Sequence, residues 1–323
     1  MTTQAARFRR GAAAGTAAVA VALLAAGCSS SAKATATAAA GTDAKSSSGT
    51  ITVVGAENEY ANVIAQIGGK YVRTDAVMSD PNTDPHTFEA SPSVAQEVSA
   101  AQLVVQNGVG YDTFMNTIEQ AAPSSSRKVI DVQKLLGLPD STPNPHLWYK
   151  PTTMPAVAKA IAADLAQIQP ANAAYFQANL TAFDTSLAPW TQAIAALKAA
   201  HPNTPVATTE PVADYMLQAV GTDNLTPWSL QADIMNGVDP SPQDVTLQES
   251  LFTQHKVKIF LFNQQVTDSL TQSFLNLAKQ NGIPVVGVYE TMPTDGYTYQ
   301  TWMLAEVNAV DKALSSGQST EKL

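Results

Sequence analysis

A single cysteine in 323 residues leaves nothing from which to build a disulfide framework or a cysteine-rich zinc or iron–sulfur centre. Histidine is almost as scarce: only His86, His146, His201 and His255 occur, so each can be weighed alone. Charged side chains make up 14%, against the ~25% usual in soluble proteins. Acids outnumber bases 27 to 18, for a net charge of −9. That balance supplies no basic footprint for nucleic acid. The chain has no His-Glu-x-x-His, no Gly-x-Ser-x-Gly and no phosphate-cradling glycine loop, so no motif points to catalysis and the expectation is a protein that is not an enzyme. What the chain does have is 45% apolar residues. That is enough for a large core and too much for a disordered chain. The length suits about two domains at ~100–200 residues each.

The N-terminal segment reads as an address. Arg7, Arg9 and Arg10 precede an uncharged, alanine-rich run from Gly11 to Ala26, the layout of a secretory signal. The run falls short of the ~20 apolar residues a membrane span needs. It ends at Leu24-Ala25-Ala26-Gly27-Cys28, which resembles a bacterial lipobox whose cysteine is lipidated. Ala25 stands where an aliphatic residue is usual. A plain cleaved signal with an incidental thiol is the alternative. Residues 29–48 are mostly Ser, Ala, Thr, Lys and Gly and read as a flexible tether. The expected division is a signal over 1–27 and a tether over 28–48 that begins at lipidated Cys28. The rest would be a monomeric body held at the outer face of the bacterial cell membrane.

In the body, continuous Val/Ile-rich runs predict parallel strands covered on both faces. They are Ile51–Ala56, Val72–Met78, Leu103–Gln106 and Lys128–Asp131, then Val206–Thr209, Leu225–Ser229, Lys258–Phe262 and Pro284–Tyr289. Helical spacing over Glu59–Ile67, Pro92–Ala100 and Gln243–His255 alternates with them. The fold class is therefore α/β: two similar lobes, each a mostly parallel sheet with flanking helices. The expected bounds are 49–165 and 201–323, joined by a linking helix over 166–200. Pro170 would open that helix, and thirty helical residues from Ala171 to Ala200 would span ~45 Å. Only Pro189 interrupts them.

Two of the histidines share a frame. Asp84-Pro85-His86-Thr87-Phe88 and Asn144-Pro145-His146-Leu147-Trp148 both read Asp/Asn, Pro, His, any residue, aromatic. A lone loop histidine is ordinarily a surface or capping residue. Two copies of one stiff Pro-His frame among four histidines favour a preformed ligand pair. Glu210 and Glu290 each follow a predicted strand of the second lobe, and in open α/β sheets ligands bind beyond the carboxyl ends of strands. Helix-capping or solvated acids are the bland reading of both. His201 and His255 sit at helix C-termini, where a cation is favourable. Glu57 and Glu59 lie at the right sheet edge to support a site from behind, and Trp148 and Trp302 read as core or interface aromatics.

These residues resemble the metal-binding solute-binding lipoproteins of bacterial ABC importers for zinc and manganese. The resemblance spans residue 50 to about 315. It rests on the Ile67-Gly68-Gly69 turn, Asp84-Pro85-His86, Ala101–Gly108, Pro145-His146-Leu147-Trp148, the linking helix, Thr209-Glu210 and Gly282–Val286. It implies metal ligands His86, His146, Glu210 and Glu290, with Asp295 a rival for the last. It also implies capture of Mn2+ or Zn2+, with Fe2+ compatible, and delivery to a membrane permease. The family commonly has Asp where Asn144 stands. Two neutral imidazoles and two carboxylates would offset a divalent charge, and with no thiolate available copper(I) is disfavoured. The zinc members' third histidine and His-rich loop are both missing, which leaves manganese and zinc open. Two other readings stand beside this one: a surface adhesion lipoprotein with a structural metal, and a metal-dependent hydrolase.

Overall fold

The computed structural model describes residues 49–82, 85–293 and 296–323. The signal segment, Cys28, the tether, Asp84 and Asp295 therefore lie outside the described residues. Two four-stranded sheets share one plan. In the first, β1 (Ile51–Glu57), β2 (Val72–Met78), β3 (Leu103–Gln106) and β4 (Lys128–Asp131) run in the order β2-β1-β3-β4. In the second, β5 (Pro205–Thr208), β6 (Asp223–Asn224), β7 (Ile259–Asn263) and β8 (Val285–Val288) run β6-β5-β7-β8. Every pairing is parallel.

The unbroken apolar runs follow from burial on both faces. Alternate residues of one strand enter different cores: Val53 and Val105 join the large core that extends through both lobes, while Val54 and Val104 join a smaller one with Val98 and Met115. In the second lobe Leu261 and Val286 face the large core, while Phe260, Phe262 and Val285 face a separate one. Helices fill the connections, as parallel strands require: α1 (Asn58–Gly68), α2 (Pro92–Ala100), α3 (Thr113–Ala121), α4 (Val132–Leu135) and α5 (Thr153–Ile168) in the first lobe. At Gly55 an added Cβ would lie 2.5 Å from the Ala61 backbone nitrogen, so glycine is what lets α1 turn back against β1.

The link differs from the single helix expected over 166–200. It begins with a 3-10 turn at Pro170–Asn172 and continues as two helices, α6 (Ala173–Ser186) and α7 (Ala188–Ala200), that meet at Leu187. The cause is Pro189 in the first turn of α7, which has no N–H to give and whose ring crowds the preceding turn. The kink has a use. α6 packs on α5 and α1, whereas α7 packs on α8 (Asp214–Val220) and on the last helix of the second lobe.

The second lobe is completed by α9 (Trp228–Met235), α10 (Pro242–Thr253), α11 (Ser269–Gln280) and α12 (Tyr299–Ser316). The strand expected at Leu225–Ser229 is a correction. Only Asp223–Asn224 pair with β5, and Pro227, which cannot donate to a ladder, caps α9 instead. Thr298 caps α12, its side chain accepting from the Thr301 amide while the Thr301 side chain accepts from the Thr298 amide. Side chains of α1 reach the second lobe near this point. Asn58 exchanges two hydrogen bonds with the Met292 backbone, at 2.9 and 2.8 Å, and Asn62 accepts from the Tyr299 amide at 3.0 Å. The carboxyl ends of both sheets thus meet across one buried seam.

Candidate metal centre

Three of the four expected ligands converge in this seam. One ligand atom each from His86, His146 and Glu290 lies within 4.8 Å of the others. His86 rises on a 3-10 turn at Pro85–Thr87, after β2, and its side chain is 21% exposed. His146 precedes a 3-10 turn at Leu147–Tyr149 and is fully buried, as is Glu290 beyond β8. Glu290 Oε2 lies 3.1 Å from His86 Nε2 and 3.3 Å from His146 Nε2. The open side of the site is therefore the His86 side. Glu210, the fourth expected ligand, is 2% exposed and lies outside this compact trio. It is joined to the trio by one amide, since Asn263 Nδ2 donates to Glu210 Oε1 at 3.0 Å and to Glu290 Oε1 at 2.7 Å.

Asn144 decides how His146 is presented. Its Oδ1 accepts both the His146 backbone N–H at 2.9 Å and the ring Nδ1–H at 2.8 Å. An amide oxygen only accepts, so Nδ1 carries the ring proton and Nε2 presents a lone pair. Burial pushes His146 below its ordinary value, which keeps the ring neutral. The departure from Asp at position 144 has a consequence here. Asn144 Nδ2 donates to the Pro211 carbonyl at 2.7 Å, beside Glu210, a bond that a carboxylate could not supply. One side chain thus orients a histidine and grips the glutamate turn of the other lobe.

Glu290 is held from several sides. Gln265 Oε1 accepts the backbone N–H groups of Glu290 and Thr291, at 2.7 and 2.9 Å. Tyr111 Oη donates to Glu290 Oε2 at 2.9 Å, and burial pushes that phenol well above its ordinary value, so the proton stays on it. Burial works against ionisation of Glu290, but a proton on Nε2 of either facing imidazole, which then donates to the carboxylate and carries a charge, outweighs it and holds the carboxyl well below its usual range. With His146 neutral, its Nε2 lone pair points at a carboxylate oxygen. Two acceptors at 3.3 Å repel unless a cation or a proton lies between them. That is the chemistry of a site for a positive ligand, and its donor set is nitrogen and oxygen without sulfur.

Tyr111, Asn263 and Gln265 were not singled out in the sequence. Asn263 left a usable signal: it is the polar last residue of the otherwise apolar strand Ile259–Asn263, at the carboxyl end where ligands bind. Tyr111 follows a glycine-rich loop and leaves none. The bland readings of the other histidines fit the structure. His201 caps α7 and stands 3.9 Å from Asp311, and His255 lies past the end of α10. Glu57, Glu59, Trp148 and Trp302 are completely buried.

The chain is similar to several proteins named for metal uptake or metal binding. The family described as zinc-uptake complex component A, periplasmic, matches residues 53–313. The manganese ABC transporter substrate-binding lipoprotein PsaA of Streptococcus pneumoniae is 25% identical over 260 residues, covering 75% of this chain and 80% of PsaA. The metal ABC transporter substrate-binding lipoprotein FimA of Streptococcus parasanguinis is 24% identical over 298 residues, covering 84% and 92%. Among solved structures, the periplasmic zinc-binding protein TroA of Treponema pallidum superposes with a TM-score of 0.70 at 17% identity, over 84% of this chain and 100% of TroA. The manganese complex of FpvC from Pseudomonas aeruginosa does so at 0.68 and 18%, over 83% and 99%. At these identities the two structures speak for the fold.

Proposed function

We propose that this chain, which belongs to the family of the periplasmic zinc-uptake complex component A, captures a divalent transition metal between its lobes outside the cytoplasm and hands it to the permease of an ABC importer. The metal is cargo. His86 and His146 supply neutral nitrogen, Glu290 supplies an anionic oxygen, and Glu210 closes the set from beyond Asn263. The observation that carries the reading is the convergence of two imidazole nitrogens on one buried carboxylate oxygen, at 3.1 and 3.3 Å.

Zinc and manganese both suit this donor set. Four-coordination with monodentate acids fits zinc, and bidentate acids fit manganese. The Irving–Williams order makes zinc the tighter ligand in either case. Fe2+ fits the same nitrogen and oxygen donors. The family is one of transport proteins, and in this reading Glu210 joins the trio when the ion binds and fills the position a reacting water would need. In this reading Cys28 is the lipid anchor, and a monomer at the outer face of the cell membrane receives the ion. Among the described residues no helix is long and apolar enough to cross a membrane.

The test is elemental analysis of protein purified without added metal, followed by competition titration with Mn2+ and Zn2+. Binding stabilises the folded state alone, so saturating metal should raise the melting temperature of the wild type. The rise should vanish in His146→Ala. An equal rise in both proteins would reject the assignment.

A further inference from the structure

One buried hydroxyl joins the segment that carries His146 to the segment that carries Glu290. Tyr149 Oη donates to the Tyr289 carbonyl at 2.8 Å and accepts the Tyr289 amide N–H at 3.3 Å. It also lies 3.2 Å from Oε1 of Glu306 on α12, and Trp302 Nε1 donates to that same oxygen at 3.1 Å. Tyr149, Trp302 and Glu306 are fully buried. A second tie runs alongside: Tyr299 Oη donates to the Trp148 carbonyl at 2.6 Å. α12 therefore grips two consecutive residues of the turn that follows His146.

The proton count fixes the direction of this chain. A phenol has one proton. Tyr149 gives its proton to the Tyr289 carbonyl, the nearer acceptor. The contact with Glu306 then needs a proton from the carboxyl. Burial supplies the reason for that proton to stay, because it pushes Glu306 up to about 8. The donors consequently run one way: the Glu306 O–H to Tyr149, the Tyr149 O–H to the Tyr289 carbonyl.

We propose that Glu306 is a positioning residue for the metal centre: as a hydrogen-bond donor it latches Tyr149 to Tyr289, and so keeps His146 and Glu290, carried by the two latched segments, at ligating distance. This rests on the metal-binding reading above. Ionised, Glu306 becomes an acceptor. The Tyr149 proton then turns to the carboxylate, and the bond to the Tyr289 carbonyl is lost. The latch holds at neutral pH and opens as pH rises through about 8. The groups facing it are Tyr149 from the His146 segment and Tyr289 from the end of β8. Behind them stand Glu59 on α1 and Tyr297 ahead of α12. Burial raises both latch tyrosines, which therefore stay protonated across this range.

Glu306→Gln separates the carboxyl from these neighbours, because an amide does not titrate: with Nε2 in the place of Oε1 it donates to Tyr149 at every pH and gives up only the bond from Trp302, which shares that position. Zinc-loaded protein mixed with excess chelator reads the latch as a release rate between pH 7 and pH 9. Wild-type release should accelerate by about tenfold or more, the scale of a lost supporting contact. Glu306→Gln should stay flat, and Tyr149→Phe should be fast throughout. Parallel profiles for wild type and Glu306→Gln, rising or flat, would overturn the latch. The metal-free protein gives a readout that does not depend on zinc binding. The folded state keeps on Glu306 a proton that the unfolded chain releases above about 4.5, so wild-type stability falls between about pH 4.5 and about 8. The melting-temperature gap between Glu306→Gln and wild type should widen across that window and level above it. A gap constant with pH would overturn the proposal, whereas a widening gap in a protein that binds no metal would fault only the transport reading.

Discussion

Counting from the strand register sets Glu57 and Asn107 of one lobe against Glu210 and Asn263 of the other: each pair lies four residues beyond a matched contact, Val53–Leu103 in the first sheet and Val206–Ile259 in the second. The backbone frame is the same and the chemistry is not. Asn263 turns its amide on two carboxylates and gathers Glu210 and Glu290. Asn107 turns its amide on the Pro145 carbonyl at 2.8 Å and accepts from Tyr60 Oη at 2.7 Å, which fixes the turn leading into His146. Glu57 has no hydrogen-bond partner on either oxygen among the described residues. Burial, with the charges of Asp112 and Glu59, pushes its carboxyl well above the ordinary value. One sheet position thus carries a buried acid that shares the Asn263 amide with Glu290 in the second lobe, and a buried acid held neutral in the first. The direction in which one asparagine amide points marks the difference.

The largest effect is expected from removing the anion that both histidines face. Glu290→Gln keeps the shape and discards the charge. Metal affinity should fall by more than the ~10–100-fold typical of lost supporting contacts, as read by competition titration. Affinity within threefold of wild type would place the ion elsewhere.

Next come the matched asparagines. Asn263→Ala should weaken metal binding by about 10–100-fold, because both carboxylates lose their shared donor. Asn107→Ala should act mainly on stability. It strands the Pro145 carbonyl and the Tyr60 hydroxyl in the interior, at a cost of about 1–3 kcal/mol in denaturant unfolding, with a smaller loss of affinity. Equal losses of affinity in the two variants would erase the distinction between the lobes.

The smallest expected effect has the opposite sign. Glu57 holds a proton in the folded state that the unfolded chain releases above about 4.5, so folding pays for proton uptake at pH 7. Glu57→Gln removes that penalty. Its melting temperature should exceed the wild type at pH 7, and the advantage should fade as pH falls to 4.5 and below. A variant destabilised at pH 7 would show that Glu57 is ionised and partnered after all.

Much of the frame was legible because the parallel strands are buried on both faces. Lys128–Asp131 and Leu103–Gln106 emerge from the apolar runs at the observed bounds. The Pro-His frames and the strand-end glutamates led to the seam between the lobes, since a parallel sheet presents the carboxyl ends of all its strands at one edge. Three things escaped. The pairing at Asp223–Asn224 is two residues long, too short for any period to register. The kink at Leu187 depends on how α6 and α7 pack, each on its own lobe, and Pro189 alone did not fix where the break falls. Tyr111, Gln265 and the bridging role of Asn263 are set by contacts between residues far apart in the chain, which no local spacing reports. Asn144 was visible as a departure from the family's aspartate. Its value lies in the bond to Pro211 across the seam.

Whether side chains from both lobes close on one ion can be seen in anomalous diffraction from crystals grown with Mn2+ or Zn2+. A single anomalous peak is expected, bounded by the Nε2 atoms of His86 and His146 and by carboxylate oxygens of Glu290 and Glu210. A peak bonded to residues of one lobe alone, with either glutamate turned away, would contradict it.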